Sequence, residues 1–454
     1  MHPVPESAAP DAAPTVADCD VFIIGGGPAG STAAALLARA GRRVVMIEKD
    51  RHPRFHIGES LLPANAQLFD RLGLREQVDE IGLRKYGAEF VSIEKGTSSE
   101  IAFGDAWDKS MPYAWQVRRD QLDELMFRHA AKQGAETHEG CRAKDVSFDA
   151  DGATVTAVLD DGAERRWRAR FVLDCSGRDT FLAHKFKAKQ RNPRHNSSAI
   201  YGHFRGARRN TGQREGNITL CWFDHGWFWY IPLADGTVSV GATCWPYYLK
   251  SRDKPLKDFF FDTIAMSPEL AQRLKDAELV GDKVHATGNF SYSATHCSGD
   301  RYLLLGDAYT FIDPMFSSGF FLAMQSAFEA VDVVRATLDA GPRAAARERR
   351  RFAKAMDLGP RAFSWFIFRI TNPTLREMLL QPQNPLRVKE ALISLLAGDI
   401  FGKTPIWPSL FALKGIYYLL SLTKLKRSLA AWRRRKFNIV DHGLLQGENV
   451  QAVK

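Results

Sequence analysis

The feature that most constrains the fold is a glycine-rich turn between a short apolar run and a helix-forming segment. Residues 21–24 are Val-Phe-Ile-Ile, a run typical of a buried strand, and Gly25, Gly27 and Gly30 follow in a G-x-G-x-x-G arrangement. An Ala- and Leu-rich segment comes next, and then a second apolar run that ends at Glu48. In such a βαβ unit the three glycines permit the tight turn, the approach of a pyrophosphate and close helix–strand packing. The acid is placed to accept hydrogen bonds from a ribose, so the sequence predicts a dinucleotide-binding domain.

Two later motifs indicate which dinucleotide is bound. A predicted strand at residues 302–305 runs into Gly306 and Asp307, and this resembles the second FAD motif of the glutathione-reductase-type fold. In that fold the aspartate binds the ribityl side of FAD. A predicted strand at residues 171–173, followed by Asp-Cys-Ser-Gly at residues 174–177, resembles the sheet edge that returns beneath the cofactor. The resemblance implies FAD.

A third motif supplies an arginine. Residues 117–123 resemble the V-x-R-x-x-L-D segment in which an arginine contacts FAD. The spacing favours Arg119, with the neighbouring Arg118 as an alternative and a plain surface charge as another. Together these motifs imply an α/β fold built on a glutathione-reductase-type, Rossmann-like FAD-binding domain, as in single-component flavin monooxygenases.

The remaining segments differ in character. Four aromatic and β-branched runs between residues 198 and 244, separated by turn residues, predict an antiparallel β layer on the substrate side. Long amphipathic stretches follow residue 319, at residues 323–338, 343–356 and after 385, and predict helices. We therefore expect four parts: a disordered leader (residues 1–18), a discontinuous FAD-binding domain (19–190 and 286–340), an antiparallel β substrate layer (191–285) and a C-terminal helical region that caps the substrate entrance (341–454).

Composition narrows the class of protein. A chain of 454 residues with 45% hydrophobic and 25% charged residues is ordinary for a globular protein of two or three packed units. Its six cysteines are widely spread without a C-x-x-C, which favours a reduced, cytoplasmic protein, and we expect no metal site. The apolar stretch at residues 406–422 is interrupted by proline, lysine and glycine, so we expect no transmembrane helix.

The net charge of +10 is unevenly distributed. Seven basic residues lie between residues 424 and 436, and a second cluster lies at residues 343–354. A solvated helix face explains such clusters as well as an acidic protein partner or peripheral contact with an anionic membrane does. Because no nucleic-acid-binding module accompanies the charge, we expect no nucleic acid partner.

A tryptophan pair points to a more specific family. Trp227 and Trp229 alternate with Phe228 and Tyr230 in a predicted strand, and Pro232 closes the run. Because residues two apart share one face of a strand, both indoles point the same way. By side-chain type alone, the four aromatic residues favour the core of a buried strand, but Pro232 and the accompanying motifs favour a functional role. The W-x-W-x-I-P string resembles the hallmark of flavin-dependent halogenases, which implies a wall of indoles that separates the organic substrate from the flavin.

A second pattern of that family follows the Gly-Asp-Ala motif. Pro314, Ser317, Ser318 and Gly319 belong to an F-x-x-P-x-x-S-x-G string associated with halogenases. A Ser-Ser-Gly loop that enters a helix offers backbone N–H groups and the positive end of the helix dipole. That environment suits chloride, bromide or the pyrimidine edge of the flavin. A helix start that only contacts flavin, as in many hydroxylases, is a compatible alternative.

Lys85 is the candidate residue for binding and orienting hypohalous acid. It lies between the glycine fingerprint and the β layer, where a strand is predicted to begin, and this placement resembles that of the lysine that halogenases require. An ammonium can hydrogen-bond hypohalous acid and a neutral amine can form a haloamine, while burial adjusts the pKa between the two forms. Without the resemblance a lone lysine here would be a surface charge, and Arg84 is a neighbouring alternative.

The resemblance implies an FADH2-dependent halogenase that uses O2 and chloride or bromide to form hypohalous acid, which halogenates an electron-rich aromatic ring by electrophilic substitution. Tryptophan-specific members carry glutamate where this chain has Phe316, and they tend to be longer. We therefore expect a phenol, a pyrrole or another aryl group, either free or tethered to an acyl carrier protein.

The sequence also bears on the source of reduced flavin and on three alternative functions. No second dinucleotide fingerprint is visible, and Ser176-Gly177 stands where aromatic hydroxylases carry an Asp-Gly motif for flavin and NADPH. We expect FADH2 from a separate flavin reductase. The alternatives are an FAD-dependent aromatic hydroxylase, a geranylgeranyl-reductase-like flavoenzyme, and a catalytically silent flavoprotein that docks carrier proteins through its basic tail. Replacement of Lys85 distinguishes a halogenase from such a reductase, because the reductase has no evident need for this lysine.

Overall fold

The computed structural model of the protein describes residues 17–92, 96–288 and 290–439. Its strands are β1 (Ala17–Ile24), β2 (Val44–Glu48), β3 (Gly82–Lys85), β4 (Gly87–Ser92), β5 (Thr97–Ala102), β6 (Ala114–Val117), β7 (Glu136–Glu139), β8 (Cys141–Phe148), β9 (Ala153–Leu159), β10 (Glu164–Asp174), β11 (Lys189–Arg191), β12 (Ser198–Arg205), β13 (Ile218–Phe223), β14 (Gly226–Pro232), β15 (Val238–Cys244), β16 (Glu278–Leu279), β17 (His285–Thr287), β18 (Tyr292–Ala294), β19 (Tyr302–Leu304) and β20 (Thr310–Phe311). Its α-helices are α1 (Pro28–Arg39), α2 (Asn65–Leu72), α3 (Arg75–Ile81), α4 (Arg119–Lys132), α5 (Phe181–Lys185), α6 (Pro246–Lys250), α7 (Leu256–Ala265), α8 (Pro268–Arg273), α9 (Ser318–Asp339), α10 (Pro342–Ile367), α11 (Pro373–Leu380), α12 (Val388–Ala397), α13 (Ile406–Thr423) and α14 (Leu425–Asn438).

The first sheet is built around the βαβ unit. Its strand order is β7-β2-β1-β10-β9-β8, with β19 also paired to β10. Strands β7, β2, β1, β10 and β19 run parallel, whereas β9 and β8 fold back antiparallel. Along β1, Val21 and Ile23 face one core while Phe22 and Ile24 face another, which explains the uninterrupted apolar run in the sequence. The predicted α/β class and the βαβ unit are confirmed in this sheet.

The second sheet is the β layer. Its order is β16-β12-β15-β14-β13-β4-β5, with β17 paired to β12, and it is antiparallel except for the parallel pair β13–β4. The four runs predicted between residues 198 and 244 form β12 to β15. Strands β4 and β5 come from residues 87–102, so the layer extends beyond the predicted residues 191–285.

The two faces of the β layer are buried against different partners. Trp227, Trp229 and Ile231 join the core shared with the first sheet and α9, whereas Phe228 and Tyr230 pack into a separate core with α6, α7 and α8. The predicted alternation of the aromatic residues is therefore present. The cavity described below lies on the tryptophan side.

Helices dominate the chain after residue 317. Helix α9 packs against α1 and α10, and α11 to α14 continue the helical region as far as the described residues extend. The predicted leader lies outside the described residues apart from Ala17 and Asp18, the first residues of β1, and so does the end of the helical region after residue 439. Among the described residues, the helices include none of the length and hydropathy needed to cross a membrane.

Candidate active site

A cavity of about 380 Å³ lies between the carboxyl ends of the first sheet and the tryptophan face of the β layer. It brings together most of the predicted site residues: Gly25, Gly27, Glu48, Arg119, Trp227, Trp229, Asp307, Pro314, Ser317 and Gly319. Gly30, Lys85, Arg118, Gly306 and Ser318 lie outside its lining.

The glycine turn is shaped to admit a phosphate. Gly25 has a φ of +105°, and a Cβ there would lie 2.3 Å from the carbonyl oxygen of Cys175, so only glycine fits. A Cβ on Gly30 would lie 1.9 Å from the Gly25 carbonyl oxygen, because helix α1 and strand β1 meet closely at that point. At Gly27 the nearest atom to a Cβ is Arg54 Nη2 at 3.6 Å, and the space in front of the backbone belongs to the cavity. This cradle fits the pyrophosphate of FAD at the start of α1.

Glu48 ends β2 beside that turn and is 5% exposed. Its carboxylate accepts hydrogen bonds from Gly26 N at 2.8 Å and Asp50 N at 3.1 Å, which hold it at the cavity wall. Arg54 Nη2 lies 3.4 Å from the same carboxylate, and Arg54 Nη1 lies 3.1 Å from Asp123. The fixed carboxylate fits the predicted contact with a ribose.

The two candidate arginines have different surroundings. Arg119 is buried, pairs with Asp123 through Nε and Nη2 at 2.8 and 3.0 Å, and lines the cavity. Arg118 instead forms ion pairs with Asp120 at 2.8 Å and Asp235 at 3.2 Å, away from the cavity. The geometry therefore favours Arg119 over Arg118 as the flavin contact.

Asp307 is held on the opposite side of the cavity. It follows Gly306, whose φ of +54° turns the chain where a Cβ would lie 2.9 Å from Ala323 Cβ. No described residue donates a hydrogen bond to the Asp307 carboxylate, and burial raises its pKa to about 6. An acceptor without a donor at this position fits the ribityl hydroxyls of FAD.

The indoles of Trp227 and Trp229 form one wall of the cavity. Both are 5% exposed, and their ring centroids are 6.0 Å apart with an interplanar angle of 52°. Trp229 Nε1 donates to Ser239 Oγ at 3.2 Å. Gly241 on β15 makes room for Trp229, because a Cβ there would lie 2.2 Å from the indole ring.

The loop at residues 311–319 reaches the cavity just before α9. Asp313 is buried, and its carboxylate accepts from Met315 N at 3.0 Å and Ser197 Oγ at 2.9 Å and pairs with His195 Nε2 at 2.7 Å. Ser317, with a φ of +55°, is the first residue before α9. The amino end of this helix faces the cavity through Ser317 and Gly319, an arrangement that suits an anion.

Phe316 turns away from the cavity. It is buried, and its ring lies 6.3 Å from that of Phe363 and 6.5 Å from that of Phe366 on α10. A carboxylate at this position would be buried among aromatic rings.

Lys85 is the last residue of β3, which pairs with β6, and only 2% of it is exposed. Its Nζ donates to Ser60 Oγ at 2.9 Å and to the Leu61 carbonyl oxygen at 3.1 Å. Ser60 lines the cavity, so its side chain connects the amine of Lys85 to the cavity wall. Burial lowers the pKa of Lys85 to about 7. Its neighbour Arg84 is half exposed and bound to Asp79 at 3.0 and 3.1 Å, which removes it from the site.

Sequence reasoning missed several residues of this site. Arg54, Glu59 and Ser60 line the cavity, and Glu59 Oε1 pairs with His203 Nε2 at 2.7 Å. These side chains lie between regular elements, where no periodic pattern marks them. Asp313 lies within the recognised F-x-x-P-x-x-S-x-G motif. Its partner His195 is distant in sequence and belongs to no motif that would have predicted the contact.

Comparison with known proteins places this geometry in context. A family model described as an FAD binding domain matches residues 18–356. A flavin-dependent halogenase of Penicillium aethiopicum is 33% identical over 400 residues, which cover 80% of this chain and 72% of the relative. A 1H-pyrrole-2-carbonyl peptidyl-carrier-protein brominase of Pseudoalteromonas luteoviolacea is 34% identical over 326 residues, which cover 70% of this chain and 78% of the relative. With three other flavin-dependent halogenases included, the match spans 63% to 78% of each relative's own length.

A solved structure has the same fold over nearly the whole chain. The crystal structure of a flavoprotein/dehydrogenase from Cytophaga hutchinsonii matches with a TM-score of 0.82 at 27% identity. The match covers 90% of this chain and 100% of that chain. The arrangement of the two sheets and the C-terminal helices is therefore shared with a known flavoprotein.

Proposed function

Since this chain belongs to the flavin-dependent halogenases, we propose that it replaces a ring hydrogen of an electron-rich aromatic compound with chlorine or bromine. Reduced FAD, when bound, supplies the activation of O2 by which halide becomes hypohalous acid. In the organic step the aromatic carbon gains the halogen, the oxygen–halogen bond breaks, and the ring proton leaves with the hydroxide as water.

The buried amine of Lys85 is the observation that carries the proposal. A lysine that is 2% exposed and has no carboxylate partner among the described residues lowers the stability of the fold. Its presence at this position therefore indicates a function. With a pKa of about 7, the ammonium and the neutral amine are both populated near neutral pH. The ammonium can donate a hydrogen bond to hypohalous acid, and the neutral amine can hold the halogen. Ser60 connects this amine to the cavity.

The roles of the other site residues follow from their positions. The indoles of Trp227 and Trp229 would keep an aromatic substrate out of the flavin side of the cavity, while hypohalous acid is small enough to pass. The loop that contains Ser317 and Gly319 would hold the halide near the amino end of α9. The bracing of this loop by Asp313 supports a fixed halide position.

The substrate is proposed to be a phenol, a pyrrole or another aryl group, either free or tethered to a carrier protein. The relative from Pseudoalteromonas luteoviolacea is named for a carrier-bound pyrrole, which supports the tethered form. Phe316, packed against Phe363 and Phe366, leaves no carboxylate to bind the amino group of free tryptophan. A separate flavin reductase is proposed to supply FADH2, because the sequence carries a single dinucleotide fingerprint.

The test is mass spectrometry of the product formed with FAD, a flavin reductase, NADH, air and bromide. The acceptors are phenols, indoles, pyrroles and carrier-bound aryl acids. A product with the bromine isotope doublet is expected from the wild type and from Lys109→Met, a control at an exposed lysine, but not from Lys85→Met. Product from Lys85→Met at the wild-type rate would remove Lys85 from the mechanism. Gain of one oxygen instead of bromine would show a hydroxylase, and saturation of a prenyl lipid would show a reductase.

A further inference from the structure

Exposed apolar side chains are concentrated on the last two described helices. Fourteen large hydrophobic side chains are exposed in the part of the chain that the structure describes, and ten of them lie on α13 and α14. Exposed hydrophobic residues are normally scattered singly, and a contiguous patch marks a surface that meets a partner. Six of them define what we call the C-terminal apolar face: Phe411, Leu419, Leu422, Leu425, Leu429 and Trp432.

Helix α13 is apolar on two sides. Phe411, Leu419 and Leu422 are 80%, 66% and 64% exposed, and their spacing of eight and three residues puts them on one side of the helix. Leu413 and Tyr417, which are 2% and 5% exposed, lie on the opposite side against the body of the protein. The inner side accounts for the packing of α13, so the outer side has no explanation within the described residues.

Helix α14, which follows α13 directly in the chain and contacts it, also exposes one apolar side. Leu425, Leu429 and Trp432 follow a spacing of four and three residues and are 49%, 43% and 58% exposed. On its inner side, Arg435 Nη2 lies 3.1 Å from His195 Nδ1, which fixes the helix to the body of the protein. The apolar side chains therefore project from a helix that is held in place.

The charged side chains of α13 and α14 have one sign. Residues 406–438 contain no aspartate and no glutamate. Five cations of α14 are exposed: Lys426, Arg427, Arg433, Arg434 and Lys436. By helical spacing, Lys426, Arg433 and Lys436 lie on or beside the apolar side of the helix, whereas Arg427 and Arg434 lie opposite, near Glu377 and the Asp224 carbonyl oxygen. A partner for this face must combine an apolar phase with negative charge.

We propose that the C-terminal apolar face and its cations dock the protein on the surface of an anionic lipid bilayer. Helices with Leu, Phe and Trp on one side and Lys and Arg beside them lie in the headgroup region in this way. Such a helix rests on the membrane without crossing it, which agrees with α13 and α14 being unsuited to span one. A second copy of the chain on the same face would bring like charges together across a two-fold axis, so self-association is disfavoured.

The experiment is co-sedimentation of the full chain with vesicles of phosphatidylcholine, with or without about 30 mol% phosphatidylglycerol. The wild type is expected to bind the anionic vesicles, and its binding should weaken, but not vanish, at high salt. Lys426→Glu with Arg433→Glu should weaken binding by at least tenfold, on the order of fivefold for each cation lost. Phe411→Ser with Trp432→Ser should weaken it at both high and low salt, because apolar burial is not screened.

Matched controls carry the same changes elsewhere. Arg343→Glu with Arg350→Glu alters exposed cations on α10, and Phe261→Ser with Met266→Ser alters exposed apolar residues near α7. Both should bind vesicles like the wild type. The thermal midpoint and FAD absorbance of every variant report on folding, and none of these measurements depends on halogenation.

Three outcomes would overturn the proposal. Wild type that stays in the supernatant with anionic vesicles would rule out the membrane. Equal losses in the control variants would show a general effect of charge or surface polarity. A dimer in gel filtration that Phe411→Ser with Trp432→Ser dissolves, or lipid-independent binding to an acidic carrier protein, would assign the face to a protein partner.

Discussion

Replacing Lys85 with methionine is expected to make the protein more stable at neutral pH while it abolishes halogenation. Burial lowers the pKa of Lys85 from 10.5 to about 7. A group whose pKa is depressed by folding favours the folded state above its unfolded pKa, and that contribution is lost as the pH falls towards the folded pKa. At about 1.4 kcal/mol per pKa unit, the buried amine lowers the free energy of unfolding by about 5 kcal/mol once the pH is well below the folded pKa. At pH 7 this penalty is about 4 kcal/mol.

Methionine removes this penalty but also removes two hydrogen bonds. Lys85 Nζ donates to Ser60 Oγ and to the Leu61 carbonyl oxygen, and the two bonds are worth about 2 kcal/mol together. Lys85→Met should therefore be about 2 kcal/mol more stable than the wild type at pH 7 and about 1 kcal/mol less stable at pH 10. For a chain of this length 1 kcal/mol shifts the Tm by about 1 °C, so the difference in Tm should change sign between the two pH values.

The assay is calorimetric unfolding of the FAD-free protein across this pH range, with Lys109→Met as the control. Lys109 is exposed, so its replacement should give a small difference in Tm that does not change with pH. A difference for Lys85→Met that is likewise constant from pH 7 to pH 10 would refute the reasoning, because the amine would then not be a buried group that titrates in this window.

The remaining predictions concern the cofactor. Gly27→Val should fold, as shown by circular dichroism, but bind no FAD, because the side chain occupies the approach of the pyrophosphate; a variant that purifies with a full complement of FAD would contradict this. Arg119→Gln should weaken FAD binding by about tenfold or more in calorimetric titration, whereas Arg118→Gln should change it less than about threefold, since only Arg119 lines the cavity. The FAD affinity of the wild type should rise as the pH increases through about 6, because the ionised Asp307 carboxylate accepts hydrogen bonds better than the protonated form; Asp307→Asn should lose that pH dependence, and a dependence that survives would assign it to another group.

Local patterns predicted the fold wherever one segment determines its own structure. The glycine turn could be recognised because Gly25 and Gly30 meet backbone atoms within the βαβ unit and its neighbouring strand, where nothing larger fits. The opposite directions of Trp229 and Tyr230 followed from the period of a strand alone.

Pairing between distant segments could not be predicted in the same way. Strand β4 joins the β layer through a parallel pairing with β13, which is more than a hundred residues later in the chain. All six of its residues are buried, which is equally suited to either sheet, and the partners of its one carboxylate, Glu89, are the distant Thr219 and Arg273. The bracing of Asp313 by His195, and of His195 by Arg435, likewise depends on three segments that meet only after folding.

The buried amine of Lys85 lies one residue before the β layer that carries the indole wall. Lys85 ends β3, and after Tyr86 the chain enters β4 at Gly87, where a Cβ would lie 2.0 Å from the Ile101 carbonyl oxygen. Strands β4, β13 and β14 are adjacent in the β layer, and β14 carries Trp227 and Trp229. Lys85 is therefore held by the β3–β6 pair, and Tyr86 alone separates it from the β layer that carries the tryptophans. The role proposed for Lys85, between hypohalous acid and an aromatic ring, requires such a fixed position, because a shift of about 1 Å can reduce the rate of such a step by about a hundredfold.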